Sequence, residues 1–290
     1  MKHPLLFLRR RGFSTLFLIA VLFLTCAAYI ATQHRIENIP RKRIPGSSII
    51  YIPSGKYLKL ATFGNSDLAA DLIYLWAIQY YSDTSIADRF AYLDRIFSII
   101  SELDPHYLDP YQTGALIAIY EAKDFDLGFE LLDRGLIHNP KQWILPFEAG
   151  HYAQLVMKDY RLAQYYYKKT MEVEGAPPIA RRLYANAAFM SMDFQTSWNT
   201  WLEVYEGARE QRIKKIASNH LYQVKAAVDI EKMKETLEKY REKYERNPAR
   251  LEELVDAGLL ESLPKDFDGQ DYLYDSQTGE VKPATIPWKR

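Results

Sequence analysis

Two markers recur along the middle of the chain with the same period of about 35 residues. Three prolines lie 35 and 37 residues apart, at Pro105, Pro140 and Pro177. An aspartate followed by an aromatic residue recurs 35 and 34 residues apart, as Asp124-Phe125, Asp159-Tyr160 and Asp193-Phe194. Because the two markers share a period but are out of phase, coincidence is a poor explanation. The pattern therefore predicts a repeated structural unit.

The residue types predict that this unit is a helical hairpin. Small residues also recur in register, as Gly114-Ala115, Gly150 and Ala187-Ala188, and they would let the two helices of a unit approach closely. The Asp-aromatic pair falls where the chain must turn between the helices. The proline ends the second helix, because it cannot continue the backbone hydrogen-bond ladder. One hairpin cannot bury its apolar face alone, so we expect successive hairpins to stack.

These units resemble the tetratricopeptide repeat (TPR) family. The matching residues are an aromatic, small residues and closing prolines: Tyr111, Gly114, Ala115 and Pro140 in the unit from Leu108; Gly150, Ala163, Tyr167 and Pro177-Pro178 in the next; and Ala187 in the third, from Arg181. The preceding hairpin, from Ala69 to Pro105, matches only at its end. The resemblance implies an all-α, TPR-like solenoid over residues 65–207 that binds other proteins, and it leaves the partner open.

An apolar run near the N-terminus predicts one transmembrane helix. Residues 13–31 are 19 positions without a charge, which as a helix span ~28 Å, close to the thickness of a bilayer core. A basic cluster, Arg9-Arg10-Arg11, directly precedes the run, although Arg41-Lys42-Arg43 and other basic residues follow it. The cluster favours a cytoplasmic N-terminus, residues 1–12, and a single-pass protein of the inner (plasma) membrane with a periplasmic or extracytoplasmic body.

Two other interpretations of the apolar run stay open. A cleaved signal peptide would use the small residues at Cys26-Ala27-Ala28, although the run is long for a signal-peptide core. A lipoprotein would carry its lipid on Cys26, although Thr25 is unfavourable just before such a cleavage site. Cys26 is the only cysteine, so no disulfide can form within the chain.

The remaining segments are predicted from residues that cap helices and residues that end them. Residues 32–64 contain prolines and a basic cluster and are predicted to be a tether. Asn65-Ser66-Asp67 can cap a first helix through Leu68, Leu72 and Leu75, and a second helix, 86–103, should end at Asp104-Pro105. Residues 208–258 are rich in Lys and Glu and predict one or two long helices. Asn247-Pro248 then predicts the start of a short helix that ends at Gly258.

The C-terminal segment, 259–290, is predicted to be a loop followed by a β-hairpin. It is similar to the tails of type II secretion pseudopilins and of some envelope repeat proteins, in which a Leu-Pro-x-Asp turn and a glycine lead into a Tyr-x-Tyr strand. The matching residues are Leu263-Pro264, Asp266, Gly269, Tyr272 and Tyr274, with Phe267 where that pattern often has proline. Strands are expected at 272–275 and 280–282 around Thr278-Gly279. The similarity implies a role in an envelope assembly.

The chain carries no motif that predicts catalysis or a cofactor. Its formal net charge is zero, which argues against nucleic-acid binding. It has no glycine-rich phosphate loop, no paired histidines or cysteines for zinc, and no nucleophile elbow. An acidic loop at Asp266, Asp268 and Asp271 is a weak calcium candidate, but the pattern fails because Pro264 stands at the first ligand position. A plain turn is the simpler prediction.

The register of the repeats predicts a binding surface on the first helix of each hairpin. The residues expected on this concave face are Gln112, Leu116, Phe147, His151, Gln154, Arg181 and Tyr184. Core packing is the alternative for Leu116, Phe147 and Tyr184. The predicted function is a membrane-anchored TPR-like scaffold for protein–protein interactions in assembly of a secretion, pilus or exopolysaccharide system. Alternatives are an envelope enzyme with a carboxylate site, and a cytoplasm-facing adaptor with reversed topology.

Overall fold

The chain is mostly helical, with one small two-stranded sheet near its C-terminal end among the described residues. The computed structural model describes residues 5–37, 53–86 and 88–286, so part of the predicted tether and the ends of the chain lie outside it. The helices are α1 (Leu5–Glu37), α2 (Gly55–Ala61), α3 (Ser66–Ser82), α4 (Leu93–Leu103), α5 (Leu108–Leu116), α6 (Phe125–His138), α7 (Ile144–Tyr152), α8 (Tyr160–Met171), α9 (Ile179–Met190), α10 (Phe194–Gly207), α11 (Gln211–Tyr244) and α12 (Glu252–Asp256). The strands are β1 (Leu273–Asp275) and β2 (Glu280–Lys282).

Helix α1 contains the apolar run at 13–31 and continues beyond it to Glu37. Its segment Leu18–Arg35 is long and apolar enough to cross a membrane. The side chains of that segment are exposed; Leu22 and Phe23, for example, are 64% and 75% accessible. A row of exposed leucine and phenylalanine side chains is unfavourable in water and favourable in lipid. The predicted membrane-length helix is therefore present.

Helices α3 to α10 form four pairs, in which each helix packs against the next. The pairs are α3 with α4, α5 with α6, α7 with α8, and α9 with α10, and α11 then packs against α10. We call α3, α5, α7 and α9 the first helices of the hairpins. The last turns of α5 and α7 widen into π-helical segments, Ile117–Ala122 and Ala153–Met157.

The Asp-aromatic pairs mark the turns between paired helices, as predicted. Asp124, Asp159 and Asp193 are the N-caps of α6, α8 and α10. Each carboxylate accepts a hydrogen bond from the backbone N–H three residues later, at 3.0, 2.9 and 3.2 Å respectively. The residue before each aspartate has a left-handed backbone, with φ of 58°, 60° and 64°. That conformation reverses the chain, and the aspartate then starts the second helix.

The small residues of the repeat permit close helix contacts, also as predicted. A Cβ atom at Gly150 of α7 would lie 2.6 Å from the ring of Tyr167 of α8. A Cβ atom at Gly114 of α5 would lie 3.0 Å from both Phe97 and Leu131. Tyr167 is fully buried, so its ring has little room to move aside. The glycines therefore set how closely these helices pack.

The structure differs from the sequence prediction at the N-terminal side of the repeats. Helix α2 lies inside the range 32–64 that we predicted to be a tether. The second predicted helix does not begin at residue 86: a 3-10 turn, Arg89–Tyr92, precedes α4, which begins at Leu93. The leucines named in the predicted first helix, Leu68, Leu72 and Leu75, are exposed, and the buried side of α3 carries alanines and tyrosines.

The C-terminal segment folds back on α11, a single helix of 34 residues. The first part of α11 contributes Ala217, Leu221 and Val224 to a cluster around Trp201. Its later part contributes Tyr222, Ala226, Met233, Leu237 and Tyr240 to a second cluster with α12 and the sheet. The hairpin pairs Tyr274 with Val281 in antiparallel register, close to the predicted strands.

The role predicted for Asn247 is wrong. Helix α12 is only five residues long and begins at Glu252, after Leu251. The Asn247 side chain instead donates hydrogen bonds to the carbonyls of Ser276 and Gln277, at 3.1 and 3.3 Å. Asn247 therefore holds the turn of the β-hairpin, because its amide reaches backbone acceptors that the turn leaves free.

Candidate partner-binding site

A row of side-chain contacts connects the first helices of the four hairpins. Three hydrogen bonds join neighbouring first helices: Tyr74 Oη with Thr113 Oγ1 at 2.7 Å, Gln112 Nε2 with Glu148 Oε1 at 2.7 Å, and Gln154 Nε2 with Asn186 Oδ1 at 3.0 Å. The rings of Tyr120 and Tyr152 add an edge-to-face contact, with centroids 5.8 Å apart. We call this row the first-helix ladder. Gln112 and Gln154, two of the predicted site residues, each form one of these bonds between first helices.

Glu148 is the least satisfied polar group of the ladder. Its Oε1 accepts the hydrogen bond from Gln112, while its Oε2 is buried and has no hydrogen-bond partner among the described residues. Burial raises the pKa of Glu148 above its ordinary value, against the hydrogen bond from Gln112 and the nearby His151, which lower it. A buried carboxylate oxygen without a donor costs free energy. Oε2 of Glu148 is therefore the atom of the ladder whose burial is least compensated.

Tyr152 lies beside Glu148, and Tyr120 packs against Tyr152. Tyr152 is half-buried, and burial raises its pKa to about 12, with the charge of Glu148 and the neighbouring Tyr120 adding to the shift. Tyr152 is therefore neutral at physiological pH and keeps its hydroxyl proton. Tyr120 is 47% exposed and can contact a ligand with its ring. We call Gln112, Glu148, Tyr120 and Tyr152 the Glu148 cluster.

His151 and Phe147 flank Glu148 on α7, and Phe147 packs, like Tyr184, against the hydrophobic core. The rings of Phe147 and His151 are 4.6 Å apart, and His151 Nδ1 lies 3.2 Å from the carbonyl oxygen of Phe147. Phe147 and Tyr184 are partly buried against the cluster around Tyr167. Tyr167 in turn donates a hydrogen bond to Gln154 Oε1 at 2.9 Å. Phe147, His151 and Tyr184 therefore pack between the ladder and the core around Tyr167, and only part of each side chain is exposed.

The other predicted site residues occupy different surroundings. Leu116 is 46% exposed at the end of α5. Arg181 is exposed and pairs with Glu203 of α10 at 3.4 Å. It lines a cleft of about 640 Å³ formed by the end of α8, the start of α9 and the junction of α10 with α11. Arg181 thus belongs to a separate surface feature from Gln112 and Glu148.

Carboxylates of the acidic loop near the C-terminus bind to other groups of the same chain. Asp266 is buried, and its Oδ1 accepts hydrogen bonds from the backbone of Asp268 and Gln270, at 3.0 and 2.8 Å. Its Oδ2 accepts one from Tyr222 at 2.9 Å, and Asp271 pairs with Lys265 at 2.6 Å. Within the described part of the chain, no group of three or more His, Cys, Asp or Glu side chains could hold a metal ion. Asp266 therefore stabilises a turn through hydrogen bonds to its backbone.

Sequence reasoning missed Glu148, Tyr120 and Tyr152. Glu148 is a single carboxylate in a helix, and such a carboxylate is ordinarily a solvated surface group. The spacing of Gln112 and Glu148 could have indicated the pair, because the two residues are 36 positions apart, close to one repeat. Polar residues at equivalent places of neighbouring first helices face each other, so a search for such pairs would have found this one.

No protein-family model matches the chain, and no curated protein matches it. The assignment of a function therefore rests on the residues and geometry of the chain itself.

Proposed function

We propose that this protein is a membrane-anchored, TPR-like scaffold that binds a partner protein through the Glu148 cluster. The single observation that carries the proposal is the buried Glu148 Oε2, which has no donor among the described residues. It lies in a row of polar and aromatic side chains, the composition that protein interfaces favour. The proposal assigns no catalytic step and no cofactor to these residues.

Packing of each helix against the next supports the TPR-like part of the proposal. In stacked hairpins, equivalent helices of neighbouring units lie side by side. The ladder contacts fit that arrangement, because they join residues 39, 36 and 32 positions apart, about one repeat. The exposed apolar helix α1 supports the anchor, and the basic cluster before it favours an extracytoplasmic body. A secretion, pilus or exopolysaccharide assembly is the setting that we propose.

The chemistry of the cluster specifies what the partner must contribute. Glu148 needs a hydrogen-bond donor at Oε2, and a cationic donor would also stabilise the charged carboxylate. The ring of Tyr152 lies beside Glu148, and the ring of Tyr120 packs against Tyr152, so these rings favour a flat or apolar neighbour. We propose that the partner inserts a lysine or arginine side chain against Glu148 and Tyr152, and that the side chains which enclose Oε2 move aside, so that the carboxylate gains an ionic contact and the cation gains an aromatic neighbour.

Substitution of Glu148 tests this site directly. We expect Glu148→Gln, in the full chain isolated from detergent-solubilised membranes, to lose the partners that copurify with wild type, because the amide nitrogen replaces an acceptor with a donor. Glu238→Gln removes the same charge from an exposed position of α11 and should retain them. Unchanged helical circular dichroism shows that both variants fold. Full recovery of the partners by Glu148→Gln would place the binding site elsewhere.

A second comparison separates the two groups of predicted site residues. Replacement of Gln112 and His151 together by alanine should abolish partner recovery, because both lie within or beside the Glu148 cluster. Arg181→Ala should leave recovery unchanged, since Arg181 lines the cleft near α10. If Arg181→Ala alone abolishes recovery, the partner binds at that cleft and not at the first-helix ladder.

A further inference from the structure

Helices α2 and α3 expose a set of large apolar side chains, each more than half accessible. These are Tyr57, Leu60 and Phe63 in and just after α2, and Leu68, Leu72 and Leu75 in α3. We call these six residues the α2–α3 apolar surface. Only four residues, 62–65, connect the two helices. Such a concentration of exposed apolar side chains in 19 residues (57–75) marks a surface that meets another apolar phase.

Helix α3 is apolar on two opposite sides. The residues Leu68, Leu72 and Leu75 are four and three positions apart, so they lie on one side of the helix. The other side carries the buried residues Ala70, Tyr74, Ala77 and Tyr81, which pack into the helical pairs. A helix with apolar residues on two opposite sides is ordinarily covered on both sides. The leucine side is not covered by any described part of the chain.

Helix α2 is fixed in place with its apolar residues outward. Gly55 packs tightly against α4, because a Cβ atom there would lie 2.5 Å from Glu102 Cβ. The backbone N–H of Lys56 donates to Glu102 Oε2 at 3.1 Å, and Lys59 Nζ donates to the Glu102 carbonyl at 3.1 Å. Docked this way, α2 presents Tyr57 and Leu60 to the outside. Helices that lie in a membrane interface typically combine aromatic and leucine side chains with lysines in this way.

The length of the chain keeps this surface near the membrane. Residues 38–52 lie between α1 and the segment that begins at Pro53 and leads into α2, and 15 residues reach at most ~50 Å when fully extended. Arg41, Lys42 and Arg43 lie within that connection and attract anionic lipid headgroups. The α2–α3 apolar surface is therefore held within reach of the bilayer that α1 enters.

We propose that the α2–α3 apolar surface inserts into the interfacial region of the lipid bilayer that α1 crosses. The inference rests on the membrane anchor of the proposed function and adds a second membrane contact to it. A second copy of the chain is a poorer occupant. A symmetric contact through α2 would bring Lys56 and Lys59 of both copies together, whereas the same lysines favour an anionic lipid surface.

The single native cysteine makes the proposal testable in the full chain. In wild type, an environment-sensitive fluorophore on Cys26 reports on α1. In a Cys26→Ser background, Leu60→Cys and Leu72→Cys report on the apolar surface, and Ile137→Cys is the control, because Ile137 is 74% exposed on α6. Each labelled protein is reconstituted into vesicles of phosphatidylcholine and phosphatidylglycerol, with and without lipids that carry a spin-label quencher in the acyl chain.

We expect a blue shift and quenching by these lipids at Leu60→Cys and Leu72→Cys, and neither at Ile137→Cys. Quenching at Cys26 without quenching at positions 60 and 72 overturns the inference and leaves the anchor standing. A blue shift at position 72 that escapes the lipid quencher, and disappears when the protein is diluted with excess lipid, also overturns it and identifies a second copy as the occupant. Loss of quenching at Cys26 itself overturns the anchor.

Discussion

His220 shows how burial fixes the charge state of a single side chain. Its ring stacks on Trp201, with centroids 4.0 Å apart and an interplanar angle of 10°. Burial lowers the pKa of His220 to about 4, with a hydrogen bond to Gln223 acting in the opposite direction. Since the ordinary histidine value is about 6.5, His220 stays neutral in the folded protein over a pH range in which the unfolded chain takes up a proton.

The free energy of unfolding should therefore fall as the pH drops from about 6.5 to about 4, because only the unfolded state gains the proton. The loss is at most roughly 3 kcal/mol and is reduced by the partial exposure of the ring. Urea unfolding at about pH 7 and about pH 5 measures it. His220→Gln should lose less stability over this interval than wild type, and equal losses would mean that His220 titrates normally.

Gly150 is a position at which one added side chain should separate two helices. Gly150→Leu is expected to destabilise the protein by more than ~2 kcal/mol, because the buried ring of Tyr167 occupies the space that the new side chain needs. Gly207→Ala, at the end of α10, is the matched control, since no atom lies within 4 Å of a Cβ there. The control should change stability by no more than about 0.5 kcal/mol. A cost below ~1 kcal/mol for Gly150→Leu would contradict the close contact.

At the scale of the element, three aspartates start the second helices of the hairpins. Asp159→Ala should cost about 1 kcal/mol, because the backbone N–H of Leu162 loses its acceptor. Asp159→Asn keeps an acceptor at the same position and should be close to wild type. Thermal or urea unfolding of the three proteins gives the comparison. An equal loss in both variants would point to the charge at the helix N-terminus, and not to the cap.

These elements also show what sequence alone could predict. Asp124, Asp159 and Asp193 recur at one period because each N-caps a helix, so the hairpins were predictable. The end of α4 before Asp104-Pro105 and the β-hairpin around Thr278-Gly279 were predictable for the same reason: the residue type fixes the local backbone. Helix α2 was not predicted, because it is seven residues long and lacks a side-chain cap. Tertiary contacts with Glu102 hold it, and no local pattern encodes them.

The candidate site was predicted only in part. Gln112 and Gln154 were found because the repeat register places them on first helices. Glu148 was missed, because its burial depends on neighbours from two hairpins. Likewise, periodicity showed that Leu68, Leu72 and Leu75 share a side of α3, but it could not show which apolar side has a protein partner. Arg181 was grouped with Gln112 by register, although its ion pair is with Glu203.

At the scale of the whole molecule, helix α11 connects the helical pairs to the C-terminal sheet. Its 34 residues extend over ~51 Å. The two clusters along it overlap within a short segment, since Leu221 and Val224 pack with Trp201 while Tyr222 and Ala226 face α12 and the sheet. One side of the segment 221–226 thus packs into the cluster around Trp201, and the opposite side packs into the cluster with α12 and the sheet.

The two sets of contacts should slow hydrogen exchange at residues 221–226. Local fluctuations that free the C-terminal sheet leave residues 221–226 packed against Trp201, and opening of the last hairpin leaves them packed against the sheet. Their backbone amides should therefore exchange with deuterium only through global unfolding, more slowly than amides near either end of α11. Hydrogen exchange followed by mass spectrometry measures this order directly. Equal protection along the whole helix would contradict this expectation and show that the two cores open together.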